Sequence, residues 1–132
     1  MEINFTIHQE FTTSEAADFC DLSAAKISQC IHLGLITPEH HVPIGSGDRA
    51  VLSAKNVREL QAIAKLQAAG IRHSTIKGIL QLLNHGQIDW WKQASGWIVI
   101  LDRISWFITD NLLEPKNKQL AESKSAIIIN LN

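Results

Sequence analysis

Hydrophobic residues recur every three or four positions through the middle of the chain, the spacing that places them on one face of a helix. The longest such series predicts a helix that Ser53 caps and Gly70 ends. Another helix is predicted from about Ser74 to near Asn84. The positions expected to face inward in these two helices are Val57, Leu60, Ile63, Ala64, Leu66, Ile76, Ile79, Leu80 and Leu83.

Two shorter helices are predicted nearer the start of the chain. Thr12 and Glu15 have the spacing of a capping box, in which each side chain satisfies the other residue's free backbone donor, so a helix begins there. After a turn at residues 20–22, Ser23 is a suitable N-cap for a second helix over residues 24–33, and Gly34 ends it. Two short helices joined in this way have the spacing of a helix-turn-helix.

The segments around these helices have extended or turn-forming patterns. Residues 37–52 are rich in proline and glycine and predict a loop or hairpin, with Gly-Ser-Gly at 45–47 between apolar flanks as in a short wing. Residues 1–11 predict an extended arm or edge strand, because Ile3, Phe5 and Ile7 alternate with polar residues.

Beyond Gly86 the helical spacing ends and all four tryptophans occur. Segments 97–101 and 104–108 predict two strands around a short turn, and 125–131 predicts a third, with a polar linker over 114–124. We therefore expect a mainly α chain, α+β overall. Its predicted parts are a winged helix-turn-helix domain over residues 11–84 and a small Trp-rich β segment over 85–132.

Composition narrows the class of protein. Hydrophobic residues make up 45% of the 132 positions, enough for a core, and the formal net charge of -1 argues against a general polyanion binder. The first residues lack the basic patch and apolar run of a signal peptide, and the longest apolar run, Trp97–Leu101, is too short for a membrane span. The expectation is a cytoplasmic, nucleoid-associated protein whose cysteines, Cys20 and Cys30, lie within helices as reduced, largely buried thiols.

The order of parts over residues 11–83 resembles the DNA-binding domain of the MerR family of bacterial regulators. Phe11-Thr-Thr-Ser-Glu-Ala-Ala17 is similar to the opening of that family's first helix, and Leu33-Gly-Leu-Ile-x-Pro38 to the exit from its recognition helix. Arg49 and Leu52-Ser53 resemble the end of the first wing and the cap of the third helix. The series from Val57 to Ile71, and then Ile76-x-x-Ile79-Leu80, is similar to the third helix, second wing and fourth helix.

The chain departs from the family's pattern at two places. Where members carry Leu-Arg-Tyr-Tyr in the recognition helix, this sequence has Ile27-Ser28-Gln29-Cys30, and the wing tyrosine is replaced by Leu52. Gly86, Gly96 and the predicted strands interrupt the region where the family has a long dimerisation helix. The family's mechanism, in which a dimer untwists an overlong promoter spacer, is therefore not carried over.

A recognition helix contacts base edges with side chains near its N-terminus. Leu22 before the cap is expected to pack on Ile27 as a hydrophobic staple, which turns the polar residues of this helix outward. Phosphate or minor-groove contacts are expected from the wing, from the start of the third helix and from the residues after Gly70. The candidate DNA-binding residues are Ser23, Lys26, Ser28, Gln29, Arg49, Lys55, Arg58, Arg72 and His73.

Other sites are less well supported by the sequence. Cys20, Cys30, His32, His40 and His41 have no standard zinc spacing, and no phosphate loop, nucleophile elbow or paired-carboxylate motif occurs, so neither metal, cofactor nor catalysis is expected. The tryptophans can fill a small core, form a dimer interface or line a ligand pocket. These four residues are Trp90, Trp91, Trp97 and Trp106.

The resemblance implies a sequence-specific, MerR-like transcriptional regulator that binds double-stranded DNA as a homodimer, with residues 86–132 at the dimer interface and any small-molecule effector unidentified. Two alternatives stay open. One is an architectural, excisionase-like factor that bends DNA. The other is a protein-interaction module that has lost DNA binding, which the missing Arg-Tyr-Tyr and the near-balanced charge favour.

Overall fold

A computed structural model describes residues 9–45, 47–85 and 90, together with the backbone of three strands at 97–101, 105–109 and 127–130. These residues form an α+β structure. Helices dominate as far as residue 85, accompanied by a two-stranded sheet, and a three-stranded sheet follows. In chain order the elements are β1 (Glu10–Phe11), α1 (Thr13–Ala17), α2 (Ala24–His32), β2 (Leu52–Ser53), α3 (Ala54–Ala68), α4 (His73–His85), β3 (Trp97–Leu101), β4 (Ser105–Thr109) and β5 (Ile127–Asn130).

The first helix begins where the capping box predicted. Thr12 Oγ1 accepts the Glu15 N–H at 3.2 Å, and Glu15 Oε1 accepts the Thr12 N–H at 3.0 Å. This helix is short and ends at Ala17, so the expectation that Cys20 lies within a helix is wrong. Cys20 lies in the turn, where its thiol donates to the Ala16 carbonyl at 3.3 Å. Phe19 in the same turn packs edge-on against Phe11, with 5.5 Å between the ring centroids.

The second helix has the predicted bounds to within one residue. Ser23 Oγ accepts the Lys26 N–H at 3.1 Å, which satisfies a free donor of the first turn. Gly34 follows the helix with φ +76°, a conformation that a residue without Cβ adopts at little cost. The Leu35 N–H then reaches back to the Cys30 carbonyl at 2.9 Å, and this bond closes the C-terminal end of α2.

The third helix is the centre of the core. Ser53 caps it as predicted, in a capping box with Asn56. Ten of its fifteen residues are buried, far more than one amphipathic face would bury. Fully buried side chains of α3 pack together with fully buried side chains from the other three helices and β2. The larger ones are Ile27, Leu52, Leu60, Ile63, Leu66, Ile76 and Ile79.

Between α2 and α3 the chain forms the hairpin expected from residues 37–52. His41 and Val51 pair as an isolated antiparallel bridge, and Gly47 takes φ +89° near the tip. The end of the hairpin leads into β2, which pairs antiparallel with β1. The sequence predicts an extended arm or edge strand over residues 1–11. Its last two residues, Glu10–Phe11, form β1, whereas Ile3, Phe5 and Ile7, on which the prediction rests, lie outside the described residues.

A short link joins α3 to α4. Gly70 takes φ +79°, and only residues 71 and 72 separate it from the first residue of α4. The Ile76 N–H bonds to the Arg72 carbonyl at 3.0 Å, so Arg72 immediately precedes the helix. His73, which the sequence placed in the loop after Gly70, is instead the first helical residue.

The three predicted C-terminal strands are confirmed, β3 with the predicted bounds and the other two with bounds that differ by one or two residues. They form one antiparallel sheet of order β4-β3-β5, in which Val99 pairs with Phe107 on one side and with Ile128 on the other. β3 is therefore the central strand. The polar linker expected at 114–124 lies outside the described residues.

Candidate nucleic-acid interface

The exposed face of α2 carries the side chains that the sequence assigned to base contacts. Ile27 is fully buried, and Leu22 packs partly buried against the same core. Lys26, Ser28 and Gln29 are exposed, as is the capping residue Ser23. At 100° per residue, Gln29 lies at the middle of the exposed face, while Lys26 and Ser28 lie on opposite flanks of it. Lys26 and Ser28 can therefore contact different parts of a ligand.

Asp48 organises the tip of the hairpin. Its Oδ2 accepts the Ile44 N–H at 2.9 Å and bonds His41 Nε2 at 2.8 Å, and its Oδ1 accepts the Arg49 N–H at 2.9 Å. The backbone N–H of Ile44 and the His41 side chain lower the pKa of this carboxyl. Because Asp48 holds the turn through side-chain bonds, Arg49 beside it is presented outward and is exposed.

A concavity of about 440 Å³ lies between the start of α1, the flank of α2 and the hairpin. Ser28 and Arg49, assigned to different elements by the sequence, line this same concavity. The other polar groups in its wall are the side chains of Thr12, Thr13, Ser14 and Asp48. The concavity thus combines several hydroxyl donors with one guanidinium, the groups that commonly contact phosphate oxygens.

Arg58 does not fit the role that the sequence gave it. Only 8% of this residue is exposed, and its Nη1 donates to Gln61 Oε1 at 3.0 Å. Gln61 Nε2 in turn donates to the Phe19 carbonyl at 2.7 Å, which ties α3 to the turn between α1 and α2. Burial also lowers the pKa of the Arg58 guanidinium. Arg58 is therefore a packing residue of α3, and we remove it from the candidate contacts.

The remaining basic candidates are spread over separate regions. Arg72 and His73 are exposed at the link between α3 and α4, where His73 belongs to the helix. Lys55, in the first turn of α3, lines a different cavity from Ser28 and Arg49. The structure therefore brings two of the nine candidates, Ser28 and Arg49, around one concavity. Gln29 lies at the middle of the exposed face of α2, and Lys26 lies on the flank opposite to Ser28.

A buried polar network was missed by the sequence analysis. Asn56 is 1% exposed, and its Oδ1 accepts the backbone N–H groups of Glu39 and Ser53 at 2.9 and 3.1 Å. Its Nδ2 donates to the Thr37 carbonyl and to Glu59 Oε1, both at 3.0 Å. This amide thereby fastens the base of the hairpin to α3. The Ser53-x-x-Asn56 spacing, which is that of a capping box, is the feature of the sequence from which a structural role of Asn56 could have been predicted.

The network continues to α4 and to one tryptophan. Glu59 Oε2 accepts from Asn84 Nδ2, and Asn84 Oδ1 accepts from Trp90 Nε1, each at 3.0 Å. Trp90 packs partly buried against the helical core, so this residue, expected at a dimer or ligand surface, belongs to the packed helical unit. Trp91 lies outside the described residues, and for Trp97 and Trp106 only the strand backbone is described.

The cysteines and histidines considered as metal ligands have other surroundings. Cys30 is buried in α2, and burial raises the pKa of its thiol. His40 Nε2 contacts the Gln9 carbonyl at 3.2 Å, and His41 pairs with Asp48. Within residues 9–45 and 47–85, no group of three or more histidine, cysteine or acidic side chains is arranged to hold a metal ion.

No model of a known protein family and no curated protein matches this chain. In the part of the chain that the structure describes, none of the helices has the length and apolar character needed to cross a membrane.

Proposed function

We propose that this chain is a sequence-specific, double-stranded DNA-binding regulator of MerR-like type, with α1 and α2 as a helix-turn-helix and the hairpin at 37–52 as its wing. Residues 11–84, with Trp90 packed against them, form the DNA-binding domain in this proposal. The observation that carries it is the common concavity of Ser28 on α2 and Arg49 on the hairpin. This common position supports the proposal, because a helix that reads bases and a loop that contacts the backbone would then approach the same duplex.

The chemistry of the exposed face of α2 supports contacts in the major groove. Gln29 can form a bidentate pair with adenine, and Lys26 can donate to guanine or to a phosphate. Arg49 and the hydroxyl groups around it would contact the backbone, and Arg72 would do so from the link between α3 and α4. Specificity in this scheme comes from α2, and the remaining contacts fix its register on the duplex.

The proposed protein acts as a homodimer assembled through residues 86–132. The candidate interface has few exposed basic groups, because Arg58 is buried. Contacts of a second subunit with a second half-site would therefore raise the affinity for duplex DNA. β4 and β5 are the outer strands of the C-terminal sheet in the order observed, and an outer strand can pair with its counterpart across a two-fold axis.

Selection of bound molecules from a pool of randomised duplexes tests this proposal. We expect sequencing of the bound fraction to yield a two-fold symmetric motif whose half-sites are one helical turn apart, as a symmetric dimer requires. A matched selection with Gln29→Ala is expected to lose preference at one position of each half-site while retaining the others. Recovery of unenriched sequence by the unaltered chain would contradict the proposal.

A second candidate function is a protein-interaction module built on the same helices. The burial of Arg58 favours it, because this removes a cation from a surface whose acidic and basic residues nearly balance. Absence of binding to any duplex at low salt, where electrostatic attraction is strongest, would support this alternative over the first.

A further inference from the structure

A second cavity, of about 590 Å³, shares no lining residue with the concavity beside the hairpin. It is enclosed by the segment that leaves α2 at residues 34–39, by the start of α3 and by the second half of α4. Its volume is within the range of small-molecule sites in proteins. Apolar side chains of Leu35, Ile36 and Leu80 line part of it, and polar groups line the rest.

Two lysines and two glutamates contribute to the wall of the cavity, and among their side chains only those of the glutamates form hydrogen bonds within the residues that the structure describes. Glu59 accepts hydrogen bonds from the amides of Asn56 and Asn84, and Glu39 accepts one from the Ser53 hydroxyl. Both carboxylates are therefore engaged by neutral donors of the protein. Lys55 and Lys77 have neither a hydrogen bond nor an ion pair with any side chain in the described part of the chain. Lys55 attracts the Glu59 carboxylate electrostatically, but neither lysine is in direct contact with a carboxylate of the described residues, so both ammonium groups keep free hydrogen-bond donors.

The position of Lys77 is consistent with a ligand-facing group. Its Nζ lies 3.9 Å from the place that a Cβ on Gly34 would occupy, so the ammonium stands beside the end of α2. Lys55 approaches from the first turn of α3, and Thr37 and Gln81 add further hydrogen-bond donors to the lining. An anionic group between the two lysines would be bonded by donors on three segments, with the apolar wall available to its carbon skeleton.

We propose that this cavity binds a small organic anion, whose carboxylate or phosphate group is held between Lys55 and Lys77. The site is separate from the proposed DNA contacts on α2 and the hairpin, and binding is measurable on the protein alone. Phosphate chemistry could also come from a DNA backbone. The enclosed volume of about 590 Å³ and the apolar part of the wall favour a free small molecule over a DNA strand.

The test is a titration of the full-length, ¹⁵N-labelled chain with sn-glycerol 3-phosphate and, separately, with succinate, at constant ionic strength kept with sodium chloride. We expect saturable shifts of the backbone amides at residues 34–37, 55, 77 and 81 with at least one probe, at a Kd on the order of 1 mM. Lys55→Gln and Lys77→Gln should each weaken this binding about fivefold or more. Lys26→Gln removes the same charge from outside the cavity and should leave the binding unchanged. Thermal melting of each variant checks that it is folded.

Three outcomes would overturn the proposal. The first is no saturable shift with either probe up to about 20 mM, well above the expected Kd. The second is equal weakening by Lys26→Gln, which would indicate diffuse attraction to net charge. The third is a loss of duplex DNA affinity in Lys55→Gln and Lys77→Gln without binding of either probe, which would assign the lysines to a DNA phosphate. Retained probe binding in a chain that binds no DNA would support this site while contradicting the proposed function.

Discussion

Asn56 Nδ2 donates a hydrogen bond of 3.0 Å to Glu59 Oε1, one turn further along α3, and the carboxyl that receives it belongs to a residue only 4% exposed. The same amide also bonds the base of the hairpin through Thr37, Glu39 and Ser53. Two features that the proposed function requires, a fixed hairpin and a fixed α2 exit, therefore depend on one buried side chain.

Asn56→Ala should lower the free energy of unfolding by about 2–4 kcal/mol, because it leaves several buried donors and acceptors without partners. Urea denaturation followed by circular dichroism measures this change. Gln81→Ala on the exposed face of α4 is the control and should change stability by less than about 0.5 kcal/mol. Equal stability of the two variants would contradict the assigned role of Asn56.

Glu59 is expected to make stability depend on pH in an unusual direction. Desolvation by burial raises the pKa of its carboxyl above the ordinary value of 4.5, despite the bonds from Asn84 and Asn56. Between 4.5 and the raised pKa, the folded chain holds a proton that the unfolded chain has lost. The contribution of Glu59 to stability is therefore greatest below pH 4.5 and falls as pH rises through this window.

Urea titrations of the unaltered chain and of Glu59→Gln across this pH range isolate the contribution. The stability of the unaltered chain minus that of Glu59→Gln should decrease as pH rises from about 4.5, since glutamine does not titrate. A difference that increases with pH would mean that the pKa is lowered in the folded protein and would contradict the prediction.

Arg58→Ala and Arg49→Ala should have opposite consequences. Loss of Arg58 removes a buried stem and its bond to Gln61, and should cost about 1–3 kcal/mol of stability without changing the DNA affinity of the folded fraction. Loss of the exposed Arg49 should leave the melting temperature unchanged. It should weaken all duplexes alike and reduce the salt dependence of log K by about one unit.

Fluorescence anisotropy at several salt concentrations, with thermal melting of each variant, measures both effects. Unchanged stability in Arg58→Ala, together with a reduced salt dependence, would return this residue to the DNA-contacting set.

The proposed homodimer predicts a defined mass in solution. Multi-angle light scattering of the full chain at about 20 µM should give twice the mass of one chain, because a regulator that reads two half-sites must be dimeric at working concentrations. A chain ending at Trp91 retains Trp90 and should be monomeric. A monomeric full-length protein would contradict the dimer and its assignment to residues 86–132.

Features that depend on neighbours in the sequence were predictable. The capping residues Thr12, Ser23 and Ser53 began their helices as expected, since a cap is a contact across three positions. Gly34 and Gly70 ended α2 and α3 with positive φ. The β-branched and aromatic runs near the C-terminus gave the three strands to within two residues.

Features that depend on distant neighbours were not predictable in the same way. α3 is packed on most of its circumference, so its polar residues Asn56, Arg58 and Glu59 are buried beside the apolar stripe. Hydrophobic periodicity identifies one inward face and assigns the other positions to solvent, which is why Arg58 was expected on the surface. α1 also ends earlier than expected, at Ala17, and Phe19 in the turn that follows packs against Phe11, a contact that local sequence does not reveal.

The most direct test of the central claim is the effect of Gln29→Ala on duplex binding. Gln29 is exposed at the middle of the outward face of α2, and its substitution removes no buried contact. On the site recovered by selection, the variant should lose about 1–3 kcal/mol of binding free energy, measured by anisotropy, and on random duplex it should lose little. If Gln29→Ala binds both duplexes as the unaltered chain does, and Lys26→Ala does as well, α2 does not read DNA and the interaction-module function is the better account.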